Sequence, residues 1–287
     1  MTLTRTCPAC LAPRMVTDGQ RILSCHACGH RWMWTSEAEQ QQIEQAVYTD
    51  EYAGYRADPV FEQGIRSLLD GEIVPRLPKQ ARILDVGCGS GDFLAAAQER
   101  GFRPKGIDVS EDGARKCREK GFDAVSGNFL TDDLGEGFDA VTMWDVIEHL
   151  RDPGQFFDRV HEVLRPGGLF IGKVPAFGAV SVNLSKWVPR LGGILLGAPD
   201  HVQYFTQASL GTLLRSKGFE VEWLRPRTNK LRGKRMGGSV KRRLGRFTAS
   251  TIKSLSRDEN LYFAGTMIGQ APSHEPVTGD LIGTPVH

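Results

Sequence analysis

The spacing of hydrophobic positions changes along this chain, and the change marks its organisation. From position 81 onward, short apolar runs alternate with segments in which apolar residues recur every three or four positions. The runs 82–86, 104–108, 123–126, 139–144, 169–174, 219–224 and 260–268 have the length and content of buried strands. Between them, Phe93, Leu94 and Ala97 predict a helix over 92–99, and a second helix fits 111–120 with Gly121 as its stop. Asp152-Pro153 caps and starts a third helix, which carries Phe156, Val160, Val163 and Leu164 inward. Arg165-Pro166-Gly167-Gly168 reads as a turn after it. A fourth helix opens at Thr206, turns Leu210, Leu213 and Leu214 inward and ends at Gly218. Alternation of this kind predicts an α/β fold, a doubly wound sheet with helices on both faces.

The chain ahead of this region follows other rules. Residues 36–80 read as helical: a polar stretch starts at Ser36-Glu37-Ala38-Glu39, and Phe61, Ile65, Leu68 and Leu69 mark an amphipathic helix. Tyr48, Tyr52 and Tyr55 lie between them, either as a face docking on the main domain or as a lid lining a ligand pocket. Within residues 1–35, Cys7-Pro8-Ala9-Cys10 and Cys25-His26-Ala27-Cys28 form two CxxC knuckles separated by fourteen residues. Short strands fit 21–24 and 31–34. Four thiolates from two such turns can surround one zinc ion tetrahedrally, so the segment reads as a zinc ribbon with a closed, structural site. The competing readings are a redox CxxC pair, or His26 or His30 in place of one thiol. So small a segment has little core of its own, and metal binding would supply its folding free energy.

Composition narrows the class. The chain has 287 residues, 40% hydrophobic and 24% charged, with six cysteines, which suits an ordinary globular protein and not a disulfide scaffold. No apolar run approaches the roughly 20 residues of a membrane span. No apolar leader core precedes the knuckles, so the protein is expected to be cytoplasmic. The net charge of +2 is unevenly placed: 225–257 holds 12 Lys/Arg and no Asp/Glu, leaving an acidic remainder. The tail 270–287, rich in Pro, Gly and Thr, is expected to be disordered.

Chemistry concentrates where the first strand ends. Ile83-Leu84-Asp85-Val86 runs into Gly87, Gly89 and Gly91 at alternate positions, and then into the helix at 92. Bare backbone here lets a ligand lie against N–H groups at a helix start. Asp108 ends the next strand, about 20 residues past the turn, where a carboxylate grips a ribose diol. The turn is GxGxG, not GxGxxG, and Asp85 stands inside the strand before it. Farther on come Trp144-Asp145-Val146-Ile147-Glu148-His149, Arg165-Pro166-Gly167-Gly168 and His201-Val202-Gln203-Tyr204-Phe205-Thr206. Together these motifs resemble the class I S-adenosylmethionine-dependent methyltransferases, in the small-molecule and quinone group that carries "EH" after its fourth strand. The resemblance covers about 82–269 and implies a seven-stranded Rossmann-like methyltransferase sheet whose last strand is antiparallel beside strand six.

The resemblance also implies roles. Asp85 orients the amino-acid end of S-adenosylmethionine through its motif, Gly87, Gly89 and Gly91 let it sit close, and Asp108 accepts from its ribose. Val109, Asn128 and Phe129 flank the adenine, with Asn128 standing where the family often has Asp. Asp145 faces the methionine portion. On the lid reading of the helical stretch, and not on the docking reading, Tyr52 and Tyr55 would line the donor pocket. His149 and His201 are the candidate bases, since an imidazole near its ordinary pKa suits proton removal at neutral pH. Their competing readings are a backbone-bonded histidine and a histidine fixing the insertion. Glu148 is expected to brace the site.

The insertion 175–205 is where the group places its acceptor cap, and its Trp187 and apolar 191–196 suit a hydrophobic or lipid-linked acceptor, or shallow contact with a membrane surface. The basic segment suits phosphates of a nucleic acid, anionic headgroups, a diphosphate carrier, or only solvent. The leading expectation is methyl transfer to a small, glycosidic or lipid-linked acceptor. The alternative is an RNA or protein methyltransferase that uses the ribbon and basic segment to bind a macromolecule. Against RNA, aromatics for base stacking are nearly absent from the basic segment, where Phe247 stands alone. The Asn/Asp-Pro-Pro-aromatic run common in amino-methylating enzymes of nucleic acids is also missing after strand four.

Overall fold

The structure, a computed structural model, describes residues 2–17, 22–36, 38, 39, 42, 59–176, 201–227 and 260–268. The expected tyrosine lid, most of the acceptor cap (177–200), most of the basic segment (228–259) and the tail lie outside the described residues.

Two small sheets come first. β1 (Thr2–Thr6) and β2 (Pro13–Thr17) form an antiparallel hairpin that carries the first knuckle. β3 (Ile22–Ser24) and β4 (Arg31–Met33) flank the second, close to the expected strands. Ser36 and Glu39 exchange capping bonds at the start of the polar stretch. α1 (Pro59–Leu68) then runs into a π-helical turn, Leu69–Ile73.

The main sheet is built from β5 (Arg82–Val86), β6 (Arg103–Asp108), β7 (Asp123–Ser126), β8 (Phe138–Trp144), β9 (Leu164–Pro175), β11 (Phe219–Arg227) and β12 (Asn260–Met267). Their order across the sheet is β11-β12-β9-β8-β5-β6-β7. β12 alone of the seven runs antiparallel, wedged between β9 and β11, as the resemblance implies. The two-residue β10 (Gln203–Tyr204) stands apart and pairs with β4.

Alternate residues of the strands go to opposite faces, each with its own core. One face holds Ile83, Ala140, Ile171 and Ala264 against α1 and α2 (Asp92–Glu99), together with Cys117 of α3 (Glu111–Glu119). The other holds Leu84, Val141, Phe170 and Phe263 against α4 (Pro153–Val163) and α5 (Gln207–Ser216). That second core continues without a break into the knuckles through Cys7, Ala9, Leu23, Cys25 and Trp32. The caps read from sequence are in place: Asp152 accepts from Gly154, and Thr206 and Ser209 close a reciprocal box at α5.

One expected turn is not a turn between elements. β9 begins at Leu164, and Arg165-Pro166-Gly167-Gly168 is a bulge inside it. Phe138 pairs with Leu164 and Ala140 with Leu169, so the four residues 165–168 stand opposite Asp139 alone. The Asp139 carboxylate accepts from Arg165 Nε at 2.7 Å, which holds the bulge against the strand.

Candidate functional site

The parallel order reverses direction at β5, which has β6 on one side and β8 on the other. Segments leaving the carboxyl ends of β5, β6 and β8 therefore open on one crevice, the usual ligand position of such sheets. Gly87 and Gly89 in the first of these segments have φ of 74° and 50°, in the left-handed region. A Cβ on Gly87 would meet Val146 Cγ2 at 2.6 Å, so the loops after β5 and β8 are packed together. A Cβ on Gly89 would meet nothing within 4 Å, which leaves an open backbone cradle in front of α2. Gly91 caps α2 with φ of 83°.

Asp108 stands opposite this cradle. One carboxylate oxygen accepts from the Gly89 N–H at 2.8 Å and the other from the Ser110 N–H at 2.9 Å. Burial raises its pKa, opposed by these two donors. A carboxylate oxygen has two lone pairs, so each retains capacity for a ligand hydroxyl. Val109 beside it is 50% exposed, an apolar wall beside the carboxylate. Asn128 is exposed, with its side chain occupied in a local turn to the Leu130 N–H. Phe129, expected to flank an adenine, is 2% exposed and lies on Phe156 with centroids 5.5 Å apart. Its ring belongs to the core, and it does not wall the crevice. Asp85 is wholly buried in β5 and accepts from Thr142 Oγ1 at 2.6 Å. Burial pushes its carboxyl up to about 8. Its carboxyl is therefore shut away from a ligand and ties β5 to β8 through Thr142.

The segment after β8 is strained and charged. Asp145 holds φ of 53°, a costly conformation for a residue other than glycine. Lys173 restrains it at both ends: the Asp145 N–H donates to the Lys173 carbonyl at 3.0 Å, and the Lys173 ammonium pairs with its carboxylate. Burial disfavours the Lys173 charge, but Asp145 beside it outweighs that and raises its pKa. Lys173 was not foreseen, although a lone lysine in the apolar run of β9 was a signal.

Next comes a short 3-10 turn, Ile147–His149. Glu148 is fully buried, and neither of its carboxyl oxygens has a hydrogen-bond partner among the described residues. Burial, with the nearby Asp145, raises its pKa well above the ordinary value, which disfavours the carboxylate form. His149 Nε2 lies 4.0 Å from it. The rings of His149 and His201 meet edge to face with centroids 4.9 Å apart. The two candidate bases, 52 positions apart in the chain, thus stand together, and with Glu148 they bring donor atoms within 4.8 Å of one another. The set can accept a proton on an imidazole, and its mixed nitrogen and oxygen donors also suit a divalent cation.

The knuckles make a second centre. Sγ of Cys7 lies 3.7 Å from that of Cys28, and Sγ of Cys10 lies 3.6 Å from that of Cys25. A tetrahedral cage with bonds of about 2.3 Å places its sulfurs about 3.8 Å apart, so the four thiols fit zinc. His30 is not among them, because its ring points away into the main domain and bonds Gln203. Hydrogen bonding to Cys28, with burial, holds the Cys7 thiol far above its ordinary value, while the bond from Cys7 lowers Cys28 to about 5. A metal entering here must displace protons.

Comparison with known proteins agrees with this geometry. A family described as "Methyltransferase domain" matches residues 56–224. A ubiquinone biosynthesis O-methyltransferase of Cereibacter sphaeroides is 29% identical over 177 residues, 58% of this chain and 70% of that protein. One from Pseudomonas aeruginosa is 25% identical over 222 residues, 71% of this chain and 84% of that protein. Among solved structures, the Burkholderia thailandensis 1,6-didemethyltoxoflavin-N1-methyltransferase, with its substrate and S-adenosylhomocysteine bound, superposes with a TM-score of 0.56 at 15% identity. That superposition covers 87% of this chain and all of the other, and at such identity it shows the shared fold.

Proposed function

The chain belongs to the class I S-adenosylmethionine-dependent methyltransferases, and from that premise we propose that it methylates a small, glycosidic or lipid-linked acceptor, with the His149–His201 pair taking the acceptor's proton. The pairing of these two rings beside the β8 terminus is the observation that carries the reading. The donor, when bound, supplies an electrophilic methyl group on a sulfonium. The chain's task is then to hold the partners in line and to receive a proton. The Gly89 cradle and Asp108 bind and orient the adenosyl portion, and Asp145, fixed by Lys173, faces the methionine portion. Glu148, buried with its pKa raised, shapes the pocket, and the base role falls to the imidazoles. Four cysteines hold a structural zinc ion away from this chemistry. The homologous quinone enzymes support a small acceptor.

The test is to incubate the protein with methyl-labelled donor and fractionated cell extract and identify the labelled product. Histidine 149 to alanine (His149→Ala) should lower turnover at least 100-fold with donor affinity near normal, on the scale of general-base catalysis. Weakened donor binding with normal turnover at saturation sinks the role. An RNA or protein acceptor is the alternative; labelled macromolecule in place of a small product, or RNA affinity that falls steeply with salt, would favour it.

The orphaned oxygens of Glu148 support a second reading, in which Glu148, His149 and His201 hold a divalent cation that activates the acceptor. Metal analysis separates the two: a stoichiometry of two per chain, reduced to one by His201→Ala, favours the cation.

A further inference from the structure

The knuckles and the histidine pair are joined by more than contact. β4 is shared, pairing with β3 on one edge and with β10 on the other, so that Trp32 faces Gln203 and Arg31 faces Tyr204. Val202, directly after His201, is bonded on both sides. Its carbonyl accepts from the Met33 N–H at 2.8 Å, and its own N–H donates to the Glu148 carbonyl at 2.8 Å. The backbone thus runs in two hydrogen bonds from the edge of the ribbon to the turn that carries His149.

A side-chain route runs parallel to it. The His30 carbonyl accepts from the Cys25 N–H at 2.7 Å, which closes the second knuckle. The His30 ring is fully buried, stacked on Trp32 and tilted against Phe205. Its Nε2–H donates to Gln203 Oε1 at 2.8 Å. The Gln203 amide then donates to the carbonyls of Leu150 at 2.8 Å and Arg151 at 3.2 Å, the two residues after His149. Gln203 is 1% exposed, so its amide bonds are made away from water, where losing one is costly.

We propose that the ribbon is a brace: His30 and Gln203 are positioning residues that lock the metal-folded knuckle onto the segments bearing His149 and His201, and so set the geometry of the acceptor site. The donor cradle, on β5 and β6, shares none of these bonds. The proposal rests on the histidine-pair reading for its effect on turnover, but not for its structural part. A ribbon used this way spends its inner edge on the enzyme itself.

The experiment uses full-length, metal-loaded protein with Gln203→Leu, Gln203→Glu, His30→Phe and His30→Gln. Gln203→Glu keeps an acceptor for His30 but loses both donors to the 150–151 carbonyls. His30→Gln keeps a donor near the Nε2 position and serves as the conservative rescue. Metal content is measured directly, donor affinity by calorimetry with S-adenosylhomocysteine, and local order by hydrogen–deuterium exchange. In Gln203→Leu and Gln203→Glu, metal content should be unchanged and affinity should stay within twofold. Exchange over 147–151 and 201–204 should rise at least tenfold, and turnover at saturating acceptor should fall at least tenfold with KM little changed. His30→Phe should do the same, and His30→Gln should restore most of the loss.

Unchanged exchange over 147–151 in folded Gln203→Glu overturns the brace. So does a loss confined to KM or to donor affinity. If Gln203→Leu loses its metal or fails to fold, Gln203→Glu and His30→Gln decide the matter. The exchange readout needs no acceptor, so it separates the two readings: a rise in Gln203→Glu with full turnover in His149→Ala keeps the brace and discards the base.

Discussion

At the scale of single residues, two glycines in one loop separate folding from binding. Gly87→Ala puts a methyl group 2.6 Å from Val146 Cγ2, on a backbone already at φ of 74°. It should lower the melting temperature and weaken donor binding together, because relief requires moving the segment that carries Asp145. Gly89→Ala meets no protein atom within 4 Å and bears only the left-handed penalty, about 1 kcal/mol. Its methyl group instead enters the cradle. It should weaken S-adenosylhomocysteine binding at least tenfold with a melting temperature close to that of the parent. Calorimetry and thermal melts on the two variants check this, and undiminished binding by Gly89→Ala contradicts the cradle. Asp85 gives a pH signature. Its pKa is about 8 when folded, against about 3.9 in an unfolded chain. The folded state therefore keeps a proton that the unfolded chain releases between about pH 4 and pH 8. A raised folded pKa favours folding at low pH, so this residue's contribution declines as pH rises through the window and is flat above it. The whole decline is on the order of 5 kcal/mol at most. Asp85→Asn should flatten the stability profile across that window in urea titrations, while the same-signed slope from Glu148 remains. Equal slopes in parent and variant would show that Asp85 does not carry the proton.

At the scale of elements, legibility followed the range of the signal. The strand β5, the helix α2 and the caps at Asp152 and Thr206 are written in contiguous residues, and their positions could be read with almost no error. The bulge at 165–168 was misread as a connecting turn because Pro-Gly-Gly chemistry is common to both. What distinguishes them is Leu164 pairing with Phe138, a contact that no local window contains. β10 is two residues long and exists because β4 offers it an edge, so it has no period to detect. The site divides in the same way. The glycine loop and Asp108 lie on consecutive elements and were legible as a pair. His149 and His201 were each legible as a candidate, but their meeting depends on the 201–205 segment returning across the end of β8. Phe129 stands beside the exposed Asn128, but its own ring is buried against Phe156, and burial of one residue in a turn has no period to detect.

At the scale of the whole molecule, the question is how far the metal centre supports the enzyme. The ribbon's buried residues Cys7, Leu23, Cys25 and Trp32 belong to the same core as α4 and α5, so it is not a bead on a string. The opposite face of the sheet, with α1, α2 and the helix after β6, has a separate core that, among the described residues, includes none of the ribbon. Metal loss should therefore be felt on one face only. Free thiols cannot replace the cross-link that zinc supplies to so short a segment, and the knuckles should open. Trp32 is 5% exposed and Trp34 carries the Arg5 guanidinium over its ring at 4.2 Å, so both should become hydrated. With five tryptophans in the chain, their exposure should produce a clear red shift of the fluorescence. The seven strands keep their own pairing and their second core, so far-UV circular dichroism should change little. Asp108 and the Gly89 cradle are held by β5, β6 and each other, and S-adenosylhomocysteine affinity should stay within about twofold of the loaded protein. Stripping the metal with a strong chelator at neutral pH and following the three signals tests this. A collapse of the dichroism, or loss of ligand affinity in step with the metal, would mean that the ribbon is part of the folding nucleus of the whole chain, and the independence of the donor cradle from the ribbon would fail.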